Sequence, residues 1–201
     1  MTIDKLFAQL KHPNPHLQNR AMLEIAEQQD ENTIPRLMSA LDEEDVVYRR
    51  ACVKTLGVIG MKAVPTIVEA LLNDPNPTVR SSCAKALAQI LVNYPEEEFP
   101  ALGIEGLKQG MRDSNPVVHI ASVMALGVAG VPALETLIEG IQTIDNPAVA
   151  ITIVNALSSI PDQRAVDLLS QLAEDDSIDS YVKESAVSAL SRINMLIKYK
   201  R

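Results

Sequence analysis

One sequence pattern recurs six times along the chain, and it constrains the fold more than any other feature. In each copy a helix-forming stretch ends in a turn, and a second helix-forming stretch follows that is centred on one apolar residue, here called the anchor. Successive anchors are separated by 31, 31, 39, 31 and 33 residues. Periods of this length are typical of stacked helical pairs, in which each repeat buries its apolar face against its neighbours. The six anchors are Ile25, Leu56, Leu87, Leu126, Leu157 and Leu190.

The start of each second helix is marked ten positions before its anchor. In four repeats this residue is the Pro of an Asn-Pro pair, where Asn is a good N-cap and Pro fits the first helical turn. The small residues directly after all six anchors are expected to let neighbouring helices approach closely. Gly60 and Gly130, four positions after their anchors, are expected to be left-handed C-caps. The predicted first residues of the second helices are Pro15, Val46, Pro77, Pro116, Pro147 and Ser180.

The composition agrees with a helical core. The 201 residues are 47% apolar, with two Phe and no Trp, so Leu, Ile, Val and Ala must fill the interior. Alternating apolar and polar runs bounded by hairpin turns are absent, which gives no indication of a sheet. The sequence therefore predicts an all-α solenoid in a single domain, residues 1–201. The repeats are placed at about 2–30, 31–60, 61–92, 99–130, 131–161 and 162–197, with an insertion at 93–100.

Charge and hydropathy exclude several classes of protein. The N-terminus lacks a basic segment followed by an apolar core, and no stretch approaches about 18 uninterrupted apolar residues. We therefore expect a soluble, cytoplasmic protein without a membrane span. The formal net charge is −8, and neither long basic runs nor clusters of basic and aromatic residues appear. This balance disfavours a nucleic acid as the main partner.

No pattern for catalysis or metal binding is readable. Cys52 and Cys83 lie four positions before their anchors, where the other repeats carry small or aliphatic residues, so we expect buried core cysteines. The axes of stacked helices lie about 8–10 Å apart, which is too far for a disulfide between them. His12, His16 and His119 lie in two distant repeats, without a Ser and Asp arrangement or a glycine-rich loop. We predict no metal site, and the catalytic residues, if any exist, are unknown.

The position seven before each anchor borders the buried side of the second helix, at about 20° from the anchor. Polar residues there can reach back to acidic residues in the preceding turns. We interpret these pairs as tethers between repeats, with ligand contact as the alternative. The pairs are Arg49 with Asp42, Arg80 with Asp74, and His119 with Asp113.

Positions nine, six and two before the anchor and two after it point away from the buried side, at about 120–200° from the anchor. Most repeats carry polar residues there, and Tyr181 is the clearest aromatic. The fourth repeat instead has an entirely apolar outward stripe, which the fifth repeat extends. Exposed apolar patches commonly mark a partner or ligand surface, but cover by the insertion or the C-terminal tail is the alternative. The apolar residues are Val117, Ile120, Met124, Val128 and Ile151.

Three cations occupy the same outward positions in the second and third repeats. They are Arg50, Lys54 and Lys85, and we predict that they adjoin the apolar residues in one binding surface. A molecule with an apolar body and carboxylates would complement this surface, as would an amphipathic helix with acidic edges.

The insertion at 93–100 interrupts the regular period. Two prolines and two aromatic residues, Tyr94 and Phe99, flank three consecutive Glu residues. One interpretation is a stiff projecting loop that carries contacts. The alternative is a solvated connection whose two aromatic side chains hold it against the neighbouring helices.

Two segments carry a family resemblance. Residues 71–80, Leu-Leu-Asn-Asp-Pro-Asn-Pro-Thr-Val-Arg, are followed by Ala-Lys-Ala-Leu at 84–87, and residues 113–118, Asp-Ser-Asn-Pro-Val-Val, by Ala-Leu-Gly at 125–127. They resemble HEAT repeats and, more narrowly, the HEAT-like repeat of phycobilisome lyases, over nearly the whole chain. The resemblance implies a right-handed α-solenoid of about six HEAT-like helical pairs, whose second helices line the concave face.

The resemblance also implies a role with phycobiliproteins. Members of this group attach, isomerise or detach bilin chromophores, usually with a partner subunit, and small relatives act as adaptors. The first hypothesis is a binding module for a phycobiliprotein subunit or its bilin, with no tightly bound cofactor and a phycocyanobilin-type bilin bound transiently. The second is an enzyme, a bilin lyase or isomerase subunit that acts mainly by positioning the chromophore. A third is an adaptor for an iron–sulfur cluster assembly scaffold protein.

Overall fold

The computed structural model of the chain describes residues 1–199; Lys200 and Arg201, the end of the predicted domain, lie outside the described residues. Residues 1–199 form twelve α-helices and no strand. This confirms the predicted all-α, α-solenoid class. The helices are α1 (Ile3–Gln9), α2 (Pro15–Glu27), α3 (Thr33–Ser39), α4 (Val46–Ile59), α5 (Val64–Asn73), α6 (Pro77–Asn93), α7 (Ala101–Gly110), α8 (Pro116–Ala129), α9 (Leu134–Thr143), α10 (Pro147–Leu157), α11 (Gln163–Glu174) and α12 (Ser180–Tyr199).

The chain divides into two compact units, Met1–Gly106 and Leu107–Arg201. In the first unit α2 packs on α4 and α4 on α6, and in the second unit α8 packs on α10 and α10 on α12. Within each unit the second helices are therefore stacked, as the sequence period predicts. The single domain over 1–201 and its six repeat ranges remain a prediction.

All six second helices begin at the predicted residues. Each Asn-Pro asparagine caps its helix, because its side-chain oxygen accepts a hydrogen bond from the backbone N–H two residues later. The four caps are Asn14 to His16, Asn76 to Thr78, Asn115 to Val117 and Asn146 to Ala148. Helices α4 and α12, which lack Asn-Pro, are capped by Asp45 and Asp179 in the same way.

The core follows the anchors. The first five anchors are 0% exposed, and Leu190 is half-buried. Cys52 and Cys83 are also fully buried and free, and burial raises the pKa of each thiol to about 12. A buried, protonated thiol is a poor nucleophile and metal ligand. The prediction that both cysteines are core residues is confirmed.

Two glycine predictions differ in outcome. A Cβ built on Gly127 would lie 2.9 Å from the Cβ of Ala156 on α10, so the small residue after the anchor does permit close helix packing. Gly60 and Gly130 have positive φ values of 79° and 71°. Their ψ values of −145° and −137° are far from the left-handed helical region, so the prediction of left-handed C-caps is wrong. Both glycines adopt a conformation that is essentially restricted to glycine, and each directly precedes or begins a short 3-10 turn.

The insertion is held against the first unit, as its second interpretation proposed. Helix α6 extends to Asn93, and Tyr94 donates a hydrogen bond from its hydroxyl to the carbonyl oxygen of Val58 at the end of α4. The Tyr94 ring occupies the space beside Gly60, and the Phe99 ring lies against Gly103. The intervening residues, 95–98, are exposed.

The predicted tether from Arg49 to Asp42 is wrong. Arg49 Nη1 donates instead to the carbonyl oxygen of Glu43 at 2.6 Å, in the turn that leads into its own helix. The carboxylate of Asp42 accepts from the side-chain amide of Asn76, the cap of α6. Backbone carbonyls in such turns lack helical partners, and they compete with nearby carboxylates for a guanidinium. Arg80 Nη1 donates to the carbonyl oxygens of Asp74 (2.9 Å) and Pro75 (3.1 Å).

One apolar stretch within residues 1–199, Val46–Asn73, is long enough to cross a membrane by length and composition, with a mean hydropathy of 1.5. In the structure it consists of α4 and α5, separated at Gly60, and 56% of the apolar window is buried. Such burial is typical of the core helices of soluble proteins.

Candidate functional site

The first unit presents a cationic patch, defined here as Arg50, Lys54 and Lys85. Arg50 and Lys54 lie on α4 and Lys85 on α6, which packs against α4. All three residues are exposed, as predicted from their angles on the helices. Within residues 1–199 none of the three has a carboxylate or hydrogen-bond partner. The patch therefore offers three cations to an external anionic group.

Lys85 is the electrostatically constrained member of the patch. Partial burial lowers the pKa of its ammonium group, and the charges of Arg49 and Arg50 lower it further. Both effects have the same physical basis, because desolvation and like charges disfavour a protonated amine. A bound carboxylate would oppose the repulsion and stabilise the charged form of Lys85. The electrostatics of the patch therefore favour the binding of an anionic group.

The outward stripe of α6 is only partly as predicted. Thr78 and Lys85 are exposed, but Ser81 is only 3% exposed. Its hydroxyl turns back and donates to the carbonyl oxygen of Thr78 at 3.1 Å, so this short side chain does not reach the surface. Angular position alone does not expose a serine whose hydroxyl is satisfied by its own helix.

The second unit presents the apolar stripe, defined here as Val117, Ile120, Met124, Val128 and Ile151. Val117, Met124 and Val128 on α8 are 55%, 61% and 47% exposed. Ile120 on α8 and Ile151 on α10 are half-buried. Within residues 1–199 the chain does not cover Val117, Met124 or Val128, so the alternative of self-burial does not hold for these three residues. These valine and methionine side chains remain available to a partner or ligand.

A depression of about 320 Å³ opens between α10 and α12 in the second unit. Ile151 lies in its wall, so the apolar stripe extends into a concave, mainly polar site. Tyr181 is 69% exposed and presents an aromatic ring there. The lining residues are Ile151, Asn155, Tyr181, Glu184, Ser185, Ser188 and Arg192.

Arg192 has a fixed position in this depression. Its Nη2 donates to Asn155 Oδ1 at 2.7 Å, and its Nε is 3.3 Å from Ser158 Oγ. Glu184 and Tyr181 make no side-chain hydrogen bond to another residue of the described chain. The depression thus combines an oriented guanidinium with a carboxylate and a phenol that are free to bind a polar ligand group.

Glu184, Ser188 and Arg192 were not among the predicted site residues, although the signal was present. They lie six and two positions before Leu190 and two after it, while Tyr181 lies nine before it. These are the same outward positions that identified the apolar stripe. The angular arithmetic therefore also describes the sixth repeat.

His119 on α8 is a half-buried titratable group of the second unit. Its Nε2 and the hydroxyl of Ser122 are buried without a hydrogen-bond partner. Burial lowers the pKa of His119, which the negative charge of Asp113 partly offsets. The arrangement favours a neutral imidazole. Its buried Nε2 is not positioned at a surface where it would meet a substrate.

Among residues 1–199, no three His, Cys, Asp or Glu side chains come close enough together to hold a metal ion. The acidic and basic groups of the depression, Glu184 and Arg192, are suited to binding and orientation. The sites in both units are therefore candidate binding surfaces.

The chain is similar to several known proteins. The family model of HEAT repeats matches residues 3–88, 44–102 and 104–191. Over the full length of both chains, the sequence is 52% identical to the uncharacterized phycocyanin operon protein Z of Pseudanabaena tenuis strain PCC 7409. It is 28% identical to the bilin biosynthesis protein CpeZ of Synechococcus sp. strain WH8020, over 86% of this chain and 95% of that protein.

Two solved structures show the same fold at low sequence identity. A chain of the CpcE and CpcF complex of phycocyanin lyase from Nostoc sp. PCC7120 superposes with a TM-score of 0.52 and 23% identity. The match covers 77% of this chain and 96% of that one. A computationally designed armadillo repeat protein for modular peptide recognition gives a TM-score of 0.51 and 16% identity, over 95% and 99% of the two chains. Both likenesses concern the stacked helical fold.

Proposed function

The chain belongs to the HEAT-repeat family, and from this premise we propose that it is an accessory interaction module that binds a phycobiliprotein subunit, its bilin chromophore, or both. The apolar stripe of the second unit is the observation that carries the proposal. An outward helix face with Val117 and Met124 more than half exposed is unusual in a soluble chain unless it is covered by a partner. The names of the relatives, a phycocyanin operon protein and a bilin biosynthesis protein, support phycobiliproteins as the partner class.

The chemistry of a bilin matches the apolar stripe. A bilin is a flexible, conjugated tetrapyrrole with an apolar body and two propionates. Met124 is unbranched and polarizable, so it adapts to an irregular apolar surface. In the adjoining depression Arg192 can pair with a carboxylate, and the ring of Tyr181 can stack on a pyrrole. The bilin is proposed as a transient ligand, without a covalent bond to this chain.

The cationic patch of the first unit is proposed as a separate contact for acidic groups of the partner protein. Its three cations have no partner within residues 1–199, and the mutual repulsion around Lys85 decreases when an anion binds. Charged patches of this kind raise association rates and help to select partners. The proposed role is cytoplasmic and requires no nucleophile.

Absorbance titration with free phycocyanobilin tests whether the chain binds the bilin chromophore. The wild-type chain is expected to shift the visible band, because burial against apolar side chains restricts the chromophore. The variant Met124→Glu is expected to lose the shift, while Val131→Glu retains it. Val131 is a matched control, since it is 52% exposed in the same unit and lies outside the apolar stripe. An unchanged shift in Met124→Glu would show that the bilin does not use the stripe.

A bilin lyase or isomerase subunit is the second candidate function, favoured by the similarity to the bilin biosynthesis protein CpeZ. Chromophore transfer separates the two functions. An apo-phycobiliprotein subunit, free bilin and this chain are incubated together, and covalent attachment is followed by zinc-induced fluorescence of the denatured subunit. Attachment that depends on this chain alone would establish the enzyme and displace the binding module. If the chain binds neither bilin nor subunit, the adaptor for an iron–sulfur assembly scaffold becomes the hypothesis to test.

A further inference from the structure

The position three before the anchor behaves differently in the sixth repeat. In four other repeats this residue is covered where the next second helix packs over it: Met22 is 6% exposed, Val53 9%, Val123 0% and Val154 0%. The equivalent residue on α12, Val187, is 53% exposed. Residues 1–199 contain no helix that covers this side of α12. Helix α12 therefore exposes an apolar residue at a position that a neighbouring helix covers in the other repeats.

An exposed stripe follows this side of α12. Measured from Leu190, its members lie at about 60–140°, on the opposite side from Val182 and Ala189, which are buried. All the stripe residues are exposed, and Met195 is 58% exposed. Together they form the outer face of α12: Glu184, Val187, Ser191, Met195 and Lys198.

The outer face has a palindromic arrangement about Ser191. Val187 and Met195 lie four residues on either side of it, and Glu184 and Lys198 lie seven residues on either side. If a second α12 packs antiparallel across this face, each glutamate meets a lysine of the other copy and each valine meets a methionine. Ser191 then meets its own equivalent, and its small side chain permits close helix approach. Opposite charges and antiparallel helix dipoles both favour this pairing.

We propose that the outer face of α12 is the interface with a second copy of the chain, related by a twofold axis that passes near Ser191. A twofold contact uses the same surface on both copies and closes the assembly at a dimer. Glu184, which also borders the depression between α10 and α12, and Lys198 have no ionic partner within residues 1–199, so they are available for the reciprocal pairs. The interface consists of side chains from a single helix, and the dimer is correspondingly weak.

End-to-end stacking of two copies is the competing arrangement, and the first repeat opposes it. The side of α2 that corresponds to the receiving side of the other second helices carries Arg20, Glu24 and Gln28. Arg20 Nε and Glu24 Oε1 form an ion pair at 2.6 Å. Covering this pair with Val187 and Met195 would desolvate two charges without adding a partner. The charged end of one copy therefore does not complement the outer face of α12.

Sedimentation equilibrium of the full chain over a concentration series tests the proposal. The wild type is expected to approach twice the chain mass of 21.9 kDa at high concentration. Val187→Glu and Met195→Glu are expected to stay at 21.9 kDa with an unchanged circular dichroism spectrum. Val131→Glu, an exposed substitution elsewhere in the unit, is the control and is expected to dimerise like the wild type. A wild-type chain that remains monomeric throughout would overturn the proposal.

Charge reversal tests the antiparallel register. Glu184→Lys and Lys198→Glu are each expected to weaken dimerisation by about tenfold or more, because each places like charges opposite one another twice. The double variant with both substitutions restores two opposite-charge pairs and is expected to recover most of the wild-type affinity. If the double variant is weaker than either single variant, the pairing is wrong. These measurements contain no bilin or phycobiliprotein, so they succeed or fail independently of the proposed function.

Discussion

Arg192 on α12 donates a hydrogen bond of 2.7 Å to Asn155 on α10, 37 residues earlier in the chain. This bond joins two neighbouring second helices across the wall of the depression. Arg192→Met and Asn155→Ala are each expected to lower the free energy of unfolding by about 0.5–1.5 kcal/mol, the range for a single hydrogen bond. Because they remove the same bond, the double variant should cost less than the sum of the two single variants. Urea denaturation of the four proteins checks this, and strict additivity would mean that the bond contributes no coupling energy.

Substitution of Gly127 and substitution of Gly130 are both expected to destabilise the fold, but for different reasons. A Cβ on Gly127 would lie 2.9 Å from Ala156 Cβ, whereas a Cβ on Gly130 meets no atom within 4 Å but requires a positive φ of 71°. Gly127→Ala should therefore destabilise the fold by about 1–3 kcal/mol through overpacking. Gly130→Ala should destabilise it by about 1–3 kcal/mol through backbone strain.

A second substitution distinguishes the two causes. Ala156→Gly removes the contacting methyl group, so it should recover part of the loss in Gly127→Ala and none of the loss in Gly130→Ala. Thermal unfolding of the single and double variants measures both effects. Equal behaviour of the two glycine variants in the Ala156→Gly background would refute the close-packing explanation for Gly127.

His119 should make the chain less stable in mild acid. Its pKa in the folded state is lowered below 6.5, chiefly by burial, so the unfolded state takes up a proton at higher pH than the folded state does. The stability associated with the neutral imidazole is fully present above pH 6.5. It is lost as the pH falls from there through the lowered folded-state pKa. His119→Gln should flatten this part of the pH profile, while the exposed control His16→Gln should leave it unchanged in chemical denaturation experiments.

The local sequence predicted the parts of the fold that depend on local chemistry. Asn76 and Pro77 set the start of α6 because a cap and a preformed first turn act within three residues. The anchors and the exposed Met124 followed from the angular period of a helix, which is independent of distant residues. Arg192 occupies the same outward position, two residues after Leu190, but a single polar residue there does not stand out from the polar residues of the other repeats.

The features that the sequence did not predict depend on competition between several partners. Arg49 selects the carbonyl oxygen of Glu43 over the carboxylate of Asp42, and Ser81 bonds to its own helix. These choices depend on the positions of several competing acceptors in the folded chain, which a repeat pattern does not specify. The contact of Tyr94 with Val58 likewise joins residues 36 positions apart, which a repeat pattern cannot specify.

The charge of Lys85 is expected to lower the stability of the free chain and to strengthen its association with an acidic partner. Removing this charge relieves the desolvation and the repulsion from Arg49 and Arg50. Solvent screens charges at this exposed site, so Lys85→Met should stabilise the free chain only slightly, by at most about 0.5 kcal/mol. The same variant should weaken association with an acidic phycobiliprotein subunit, most clearly at low salt. The exposed residue Lys62 provides the control, since Lys62→Met should change neither property. A Lys85→Met chain that is less stable than the wild type would contradict the electrostatic account of the patch.

The affinity of the chain for an apo-phycobiliprotein subunit, measured by calorimetry for the wild type, Met124→Glu and Val131→Glu, tests the central claim most directly. Met124 is 61% exposed, so its substitution should leave the fold intact while placing a charge in the apolar stripe. The account predicts binding by the wild type and by Val131→Glu, and a loss of about tenfold or more in Met124→Glu. Equal affinity of all three proteins, or no binding by the wild type, would contradict it.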